Sequence, residues 1–299
     1  MFTKLKELFE KNLSKSNIPK LVLAVAHDKH SLEAILLAEK KGIVKSVLVG
    51  IKTEIEKIAA ELDFDLSEIE IYDIEDKALA VKKAIEIINN GKAQILMKGN
   101  VSTAILLKAV LNKEWGLNSG SLLSHLAIFE LESYHKLLSI TDVAMNIAPD
   151  VKEKIGITQN AVNYLNKIGI KNPKVAAISA AETVSHSMQS SIDAAIIAKM
   201  SERNQIGNCI IDGPLALDNA INKKSANHKG ITSPVAGEAD LLLMPNIETG
   251  NVFYKSLTFF AKSKVAAVIL GAKVPIVLTS RSDSEETKLN SIYLAASGV

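Results

Sequence analysis

Short, unbroken apolar runs alternate along this chain with longer stretches whose apolar positions recur at helical spacing. Residues 21–26 (Leu-Val-Leu-Ala-Val-Ala) are continuously apolar between polar flanks, the pattern of a strand buried on both faces. Residues 31–41 then bring Leu32, Ile35, Leu36 and Leu37 to one side of a helix that Gly42 closes. The unit repeats. Strands are predicted over 46–49, 69–74 and 94–97, and helices over 53–62, 77–89 and 102–111, with Asn90-Gly91 ending the second of these helices. Such alternation predicts an α/β fold whose mostly parallel sheet carries helices on both faces.

The rhythm changes after Trp115. Apolar runs at 122–131 and 137–142 flank the polar Glu132-Ser133-Tyr134-His135-Lys136 and predict a hairpin. Alternation then resumes with a helix over 151–167, a strand over 175–179 and a long helix over 184–203. Strands follow at 209–211 and 241–244, separated by the polar stretch 218–230. The rest reads as a helix over 252–263, strands at 266–270 and 276–278, and a last helix from about residue 285 to 296. The change of rhythm suggests two domains with a boundary near residues 130–145, the C-terminal segment being free to return to the first.

Composition narrows the function. Of 299 residues, 47% are apolar and 23% charged, with a net charge of +2, so the chain is built to form a core. That balance, with only 4% aromatics, speaks against nucleic-acid binding, which needs a basic surface and stacking platforms. The lone Cys209 excludes a disulfide framework and a four-thiolate zinc site. No apolar run approaches the ~20 residues of a membrane span, and the first residues mix acids with bases, unlike a signal peptide. A cytoplasmic protein is the expectation.

Open α/β sheets bind ligands beyond the carboxyl ends of their strands, so the strand-to-helix turns are where chemistry is sought. At Lys98-Gly99-Asn100-Val101-Ser102-Thr103 a strand ends, glycine permits close approach and a helix begins; its free N–H groups attract an anion, with Lys98 and Lys108 nearby. An ordinary N-cap explains the same residues. Asp212-Gly213-Pro214-Leu215 reads as a strand ending in an acidic turn, and Ser233-Pro234-Val235-Ala236-Gly237 as a small-residue loop able to lie along an extended ligand. Glu248-Thr249-Gly250-Asn251 reads as another strand-to-helix turn. Finally, Ser280-Arg281 ends a strand before the acidic helix start Asp283-Ser284-Glu285-Glu286. Arg281 and Arg203 are the only arginines in a lysine-rich chain, so a strand-end arginine suggests a planar grip on phosphate or carboxylate. His27 and His30 lack an evident third ligand for a metal. There is no Gly-x-Gly-x-x-Gly and no Walker A sequence.

Each motif is weak alone, but their order resembles that of the phosphate acetyltransferase/phosphate butyryltransferase family from about residue 20 onward. The segment Ser124-His125, Tyr134-His135-Lys136-Leu137-Leu138, Ile140-Thr141-Asp142 and Ala144-Met145-Asn146-Ile147-Ala148-Pro149 is similar to the butyryltransferase branch. The resemblance implies a two-domain, isocitrate-dehydrogenase-like fold with a cleft, in which the C-terminal strand and helix rejoin the first domain (residues 1–135 with 272–299, against residues 136–271), a homodimer, and reversible acyl transfer between a short-chain acyl-CoA and inorganic phosphate, giving acyl phosphate and CoA. It implies no metal, no cofactor and no covalent acyl-enzyme. It assigns Ser280 and Arg281 to the catalytic cleft, with Asp283 or Glu286 as the base for the thiol. Lys98, Gly99, Asn100, Ser102, Thr103, Lys108, Ser124, Asp212, Ser233, Pro234, Glu248, Thr249, Gly250 and Asn251 become substrate-binding candidates.

The sequence departs from the acetyltransferase pattern at three places. Lys108 and Leu122 stand where that branch has arginines, and Thr287 stands where it has an aspartate. Lysine cannot reproduce a planar fork, so phosphate must be held differently here. The alternatives are a decarboxylating nicotinamide-dependent dehydrogenase of the same broad fold, short of the arginines its substrate clamp needs, and a non-catalytic acyl-CoA-binding protein.

Overall fold

The computed structural model describes residues 1–13, 17–279 and 283–299. Ser280, Arg281 and Ser282 lie outside the described residues. In chain order the elements are α1 Leu5–Asn12, β1 Lys20–Ala24, α2 Lys29–Lys40, β2 Lys45–Gly50, α3 Lys52–Glu61, β3 Glu70–Asp73, α4 Lys77–Asn89, β4 Ile95–Lys98, α5 Thr103–Val110, β5 Ser124–Glu130 and β6 Leu138–Thr141. There follow α6 Val151–Lys167, β7 Lys174–Ile178, α7 Gln189–Glu202, β8 Ile210–Leu215, α8 Leu217–Ile221, α9 Lys223–His228, β9 Leu241–Leu243, α10 Ile247–Phe259, β10 Lys264–Leu270, β11 Ile276–Val277 and α11 Glu285–Ser297. This is a mixed α/β chain in which parallel strand pairs predominate.

Two compact units divide the chain. The first comprises Met1–Leu8 and Leu122–Val265, the second Phe9–Ser121 and Ala266–Val299. The sequence-based boundaries were 135/136 and 271/272. Both strands of the predicted hairpin fall in the first unit, because β5 and β6 pair with each other, Ile128 opposite Ser139.

In the second unit the strands run in the order β3-β2-β1-β4-β11-β10, parallel except for β10 against β11. Leu21, Val22 and Leu23 have no exposed surface, as befits strands covered on both faces. Burying each such leucine or valine side chain contributes about 1.5–3 kcal/mol. The helices are started locally: Asp28 and Asp76 accept from Ser31 N (3.1 Å) and Leu79 N (2.8 Å) at the N-termini of α2 and α4. α11 packs along α2, burying Ile292, Leu294 and Ala295. After β3 the chain returns to pair β4 with β1, so the strand order reverses between these two.

The first unit has the order β5-β6-β9-β7-β8, parallel but for the β5–β6 hairpin. Its α6 begins with a capping box between Asp150 and Glu153. The hairpin is tied down by a buried lysine: Lys136 Nζ donates to Asp240 Oδ1 (2.6 Å) and to the Glu238 carbonyl (2.8 Å), and Tyr134 Oη donates to the Ala239 carbonyl.

Three sequence expectations are corrected here. The helix expected over 184–203 starts only at Gln189, because Ser185 and Met188 turn on each other and Ser191 Oγ takes the Ser185 N–H. The strand expected at 209–211 continues through Asp212-Gly213-Pro214 to Leu215, so this motif is strand and not a strand-ending turn. The helix expected from 252 begins at Ile247, because Asn246 Oδ1 accepts from Thr249 N (2.9 Å); Glu248-Thr249-Gly250-Asn251 is therefore its first turns. The polar stretch 218–230 holds the short helices α8 and α9.

Candidate active site

In the second unit the strand order reverses between β1 and β4, and the carboxyl ends of strands at such a reversal are where doubly wound sheets hold ligands. Gly99 lies there, buried against β1: its N–H donates to the Ala24 carbonyl (2.9 Å), and Asn100 N donates to the Val25 carbonyl (2.8 Å). Only glycine fits, since a Cβ would run into the Val25 carbonyl oxygen and come within 2.8 Å of that of Ala24. Val25 itself sits at φ +60°, a left-handed conformation that a β-branched residue rarely adopts. Strained backbone of this kind concentrates at functional sites. Ser102 Oγ caps α5 through Ile105 N (3.3 Å), while Lys98 Nζ bridges the Gly99 and Val101 carbonyls (3.2 Å each). Ser102 and Thr103 are exposed, so their hydroxyls lie at the surface where α5 begins, whereas Lys108, also exposed, lies in the last turn of that helix.

Farther along the same unit, Asp283 is half-buried, with its carbonyl accepting from Lys288 Nζ (2.6 Å), and Glu286 is exposed in the first turn of α11. Ser284 caps that helix through Thr287 N (3.1 Å). Ser280 and Arg281, the centre of the sequence argument, fall in the segment that is not described. His30 on α2 does find carboxylates: its ring nitrogen, Glu33 and Glu285 lie within 4.8 Å of one another, with His30 and Glu285 exposed. His27 is not part of that trio.

The first unit holds a cavity of about 1130 Å³ at the carboxyl ends of β7, β8 and β9, framed by the first turns of α6, α7 and α10. Ile178, Met188, Leu217 and Pro245 supply apolar wall. A buried ion pair also lines it: Lys154 Nζ donates to Asp193 Oδ2 at 2.6 Å, with side-chain exposures of 7% and 4%. Sequence reasoning missed this pair. The signal was present, for Lys154 lies three and seven residues before Ile157 and Ala161, on the face that α6 buries.

The predicted binding residues of this unit separate. Thr249 borders the large cavity. Asp212, Ser233 and Pro234 come together around a different hollow of about 510 Å³, beside Cys209. Burial pushes the Cys209 thiol up to about 11, so it stays protonated and unreactive at neutral pH. Gly250 and Asn251 serve packing: a Cβ on Gly250 would collide with the Asp142 carbonyl oxygen, and Asn251 Nδ2 donates to the Val143 carbonyl (3.2 Å). Ser124 has no exposed surface and accepts from Asn160 Nδ2 (3.0 Å). Glu248 is exposed.

Beside Ser124, His125 is buried, with its Nδ1 unpaired among the described residues and its ring edge-on to Tyr254. Burial pushes its pKa below the usual 6.5, against a smaller opposing pull from Asp142. The native state therefore binds fewer protons than the unfolded chain, and stability falls as pH drops below about 6.5. His125→Leu is expected to flatten that acid limb: its urea midpoint should change less between pH 7 and 5 than that of the parent. Equal slopes would remove His125 as the cause.

The sequence family described as "Phosphate acetyl/butaryl transferase" matches residues 4–83 and 77–296. A phosphate butyryltransferase of Clostridium beijerinckii is 50% identical over 277 residues, covering 93% of this chain and 92% of that protein. The phosphate butyryltransferase of Clostridium acetobutylicum is 49% identical over 296 residues, covering 99% and 98%. Among solved structures, a branched-chain phosphotransacylase from Enterococcus faecalis V583 superposes with a TM-score of 0.81 at 34% identity, covering 94% of this chain and 99% of that one. Sequence and structure agree along nearly the whole length, and the chain belongs to the phosphate acetyl/butyryl transferase family.

Proposed function

We propose that this protein is a phosphate acyltransferase of the butyryl type, moving a short acyl group between the sulfur of CoA and an oxygen of inorganic phosphate. The observation that carries this reading is near-full-length identity of about one half to phosphate butyryltransferases. The reaction balances with its two substrates alone. A phosphate oxygen attacks the thioester carbonyl carbon, a tetrahedral oxyanion forms, the C–S bond breaks, and the thiolate leaves to take up a proton. In reverse, a base removes the thiol proton and the sulfur attacks the acyl phosphate. Neither direction calls for a metal, a redox cofactor or a covalent acyl-enzyme.

The protein's task is then to hold an anion and an activated carbonyl in line and to stabilise the developing charge. Arg281 is assigned the bidentate grip on phosphate, and Ser280 the hydrogen bond to the oxyanion or departing thiolate. The Gly99–Thr103 turn offers further phosphate donors. Asp283 and Glu286 are the candidate bases, Asp283 half-buried and Glu286 exposed. We further propose an isocitrate-dehydrogenase-like arrangement with the reaction in a cleft, and a homodimer. Exposed Val252, Phe259 and Phe260 on and just after α10 give an apolar face suited to pairing with a second copy. No described helix is long and apolar enough to cross a membrane, which is compatible with a cytoplasmic enzyme.

The direct test mixes protein, acyl-CoA and phosphate and follows free thiol. CoA release is expected to require phosphate and to extend over acyl chains of about two to five carbons, since one methylene changes binding by only about 1–3 kcal/mol. Failure to see phosphate-dependent release with any of these chains would overturn the assignment.

A further inference from the structure

Among the described residues three lysines are buried, Lys136, Lys154 and Lys288. Two of them sit on an aspartate: Lys136 Nζ lies 2.6 Å from Asp240 Oδ1, and Lys154 Nζ 2.6 Å from Asp193 Oδ2. Lys288 differs. It is 3% exposed, and among the described residues its ammonium makes one hydrogen bond, to the main-chain carbonyl of Asp283 (2.6 Å), and pairs with no carboxylate.

This placement costs stability on two counts. An ammonium taken out of water needs a counter-charge or a full set of acceptors, and only one of its three donors is served here. The charge also lies at the wrong end of its helix. Lys288 follows the first turn of α11, and helical side chains lean toward the N-terminus, so the ammonium is carried back to the positive end of the dipole. On the same face Ser291 and Ile292 are buried, and Ser291 Oγ accepts from Ala267 N of β10 (3.0 Å). A methionine would fill such a place without the electrostatic cost. A local rule broken with so little in return is the mark of a position kept for function.

The group that the ammonium holds indicates which function. β11 runs parallel to β4, Val277 opposite Met97, so the chain leaves β11 beside the turn that begins at Lys98. It reaches α11 through Asp283 and the cap Ser284. Ser280 and Arg281 precede the anchored carbonyl by three and two residues, and Asp283 carries a candidate base. A carbonyl held by a charge-assisted hydrogen bond fixes its peptide plane, and with it the backbone from which the Asp283 side chain projects.

We propose that Lys288 is a positioning residue for acyl transfer, its ammonium anchoring the Asp283 carbonyl and thereby the segment that carries Ser280, Arg281 and Asp283. The role in turnover rests on the phosphate acyltransferase reading; the anchor does not.

Two variants of the full chain test this. Lys288→Met keeps the length of the side chain and removes the charge, whereas Lys288→Arg keeps a charged donor. Hydrogen exchange of the peptide spanning residues 279–287 reads the anchor without turnover. It should quicken about fivefold or more in Lys288→Met, while peptides from residues 122–265 exchange as in the parent. Phosphate-dependent CoA release reads the role: kcat should fall about tenfold or more with the KM for phosphate within about twofold, since slight misplacement costs rate rather than binding. Lys288→Arg should recover about a third or more of the parental kcat. The thermal midpoint of Lys288→Met should match or exceed that of the parent, because a buried charge without a counter-ion has gone. A lower midpoint, or failure to fold, would make the lysine structural and overturn the proposal. Unchanged exchange in Lys288→Met overturns the anchor, and quickened exchange with parental kcat overturns the positioning role. A KM for phosphate raised about tenfold at parental kcat would make Lys288 a ligand of the anion instead, and also overturns it. If the parent releases no CoA with phosphate yet Lys288→Met shows the quickened exchange, the anchor stands and the acyltransferase reading fails.

Discussion

Gly99→Ala is expected to destabilise the second unit by about 3 kcal/mol, the upper part of the range for overpacking a well-filled site. The added methyl would press on the carbonyl oxygens of Val25 and Ala24, which are backbone and cannot rotate away. These same oxygens accept the N–H groups of Asn100 and Gly99, so relief by separation breaks the junction between β1 and the turn after β4. Val25, buried and already at φ +60°, has little freedom to accommodate the shift. A fall of about 6–12 °C in the thermal midpoint corresponds to that loss in a protein of this size. Gly207→Ala is the control: a Cβ there meets nothing within 4 Å, and the change should stay within about 0.5 kcal/mol. If activity survives the Gly99 substitution with an unchanged KM for phosphate, the turn is a structural junction and not a phosphate contact.

Arg281→Lys is expected to lower kcat/KM for phosphate by about 10²-fold or more, the usual cost of removing one well-placed donor to a developing charge. Lysine keeps the positive charge and loses the planar fork, so the substitution separates bidentate geometry from simple attraction. The thermal midpoint should stay near that of the parent, which distinguishes a missing contact from a damaged fold. Near-parental kinetics would remove Arg281 from the reaction, and the remaining grip on phosphate would then have to come from lysines such as Lys98 or Lys108.

How far the sequence carried depended on what kind of signal each segment held. Strand β1 and helix α4 were legible because unbroken apolar runs and 3.6-residue spacing are direct images of burial. The start of α10 was not, because Glu248-Thr249-Gly250-Asn251 has turn composition; Gly250 is there so that a helix can press on the Asp142 carbonyl, a contact from a residue far away in sequence. Asp212 was assigned to a turn for the same reason, and the strand runs through it. At the candidate site, ordered motifs identified the family, yet Lys154 and Asp193 passed unnoticed. Each looks like a surface charge until the two helices that carry them are packed together.

The division of the chain bears on how the protein is made. Leu122–Val265 supplies nearly all of the first unit as one contiguous segment, whereas the second is assembled from Phe9–Ser121 and Ala266–Val299. A ribosome therefore delivers the middle of the gene product complete while the earlier-made strands still wait for β11, which pairs with β4, and for α11, which covers α2. During synthesis that waiting sheet exposes apolar surface for as long as it takes to translate the interval, so the vulnerable nascent species is the amino-terminal third. A stop codon just before Ala266 should yield a chain that chaperones retain, even though the middle unit could already have folded.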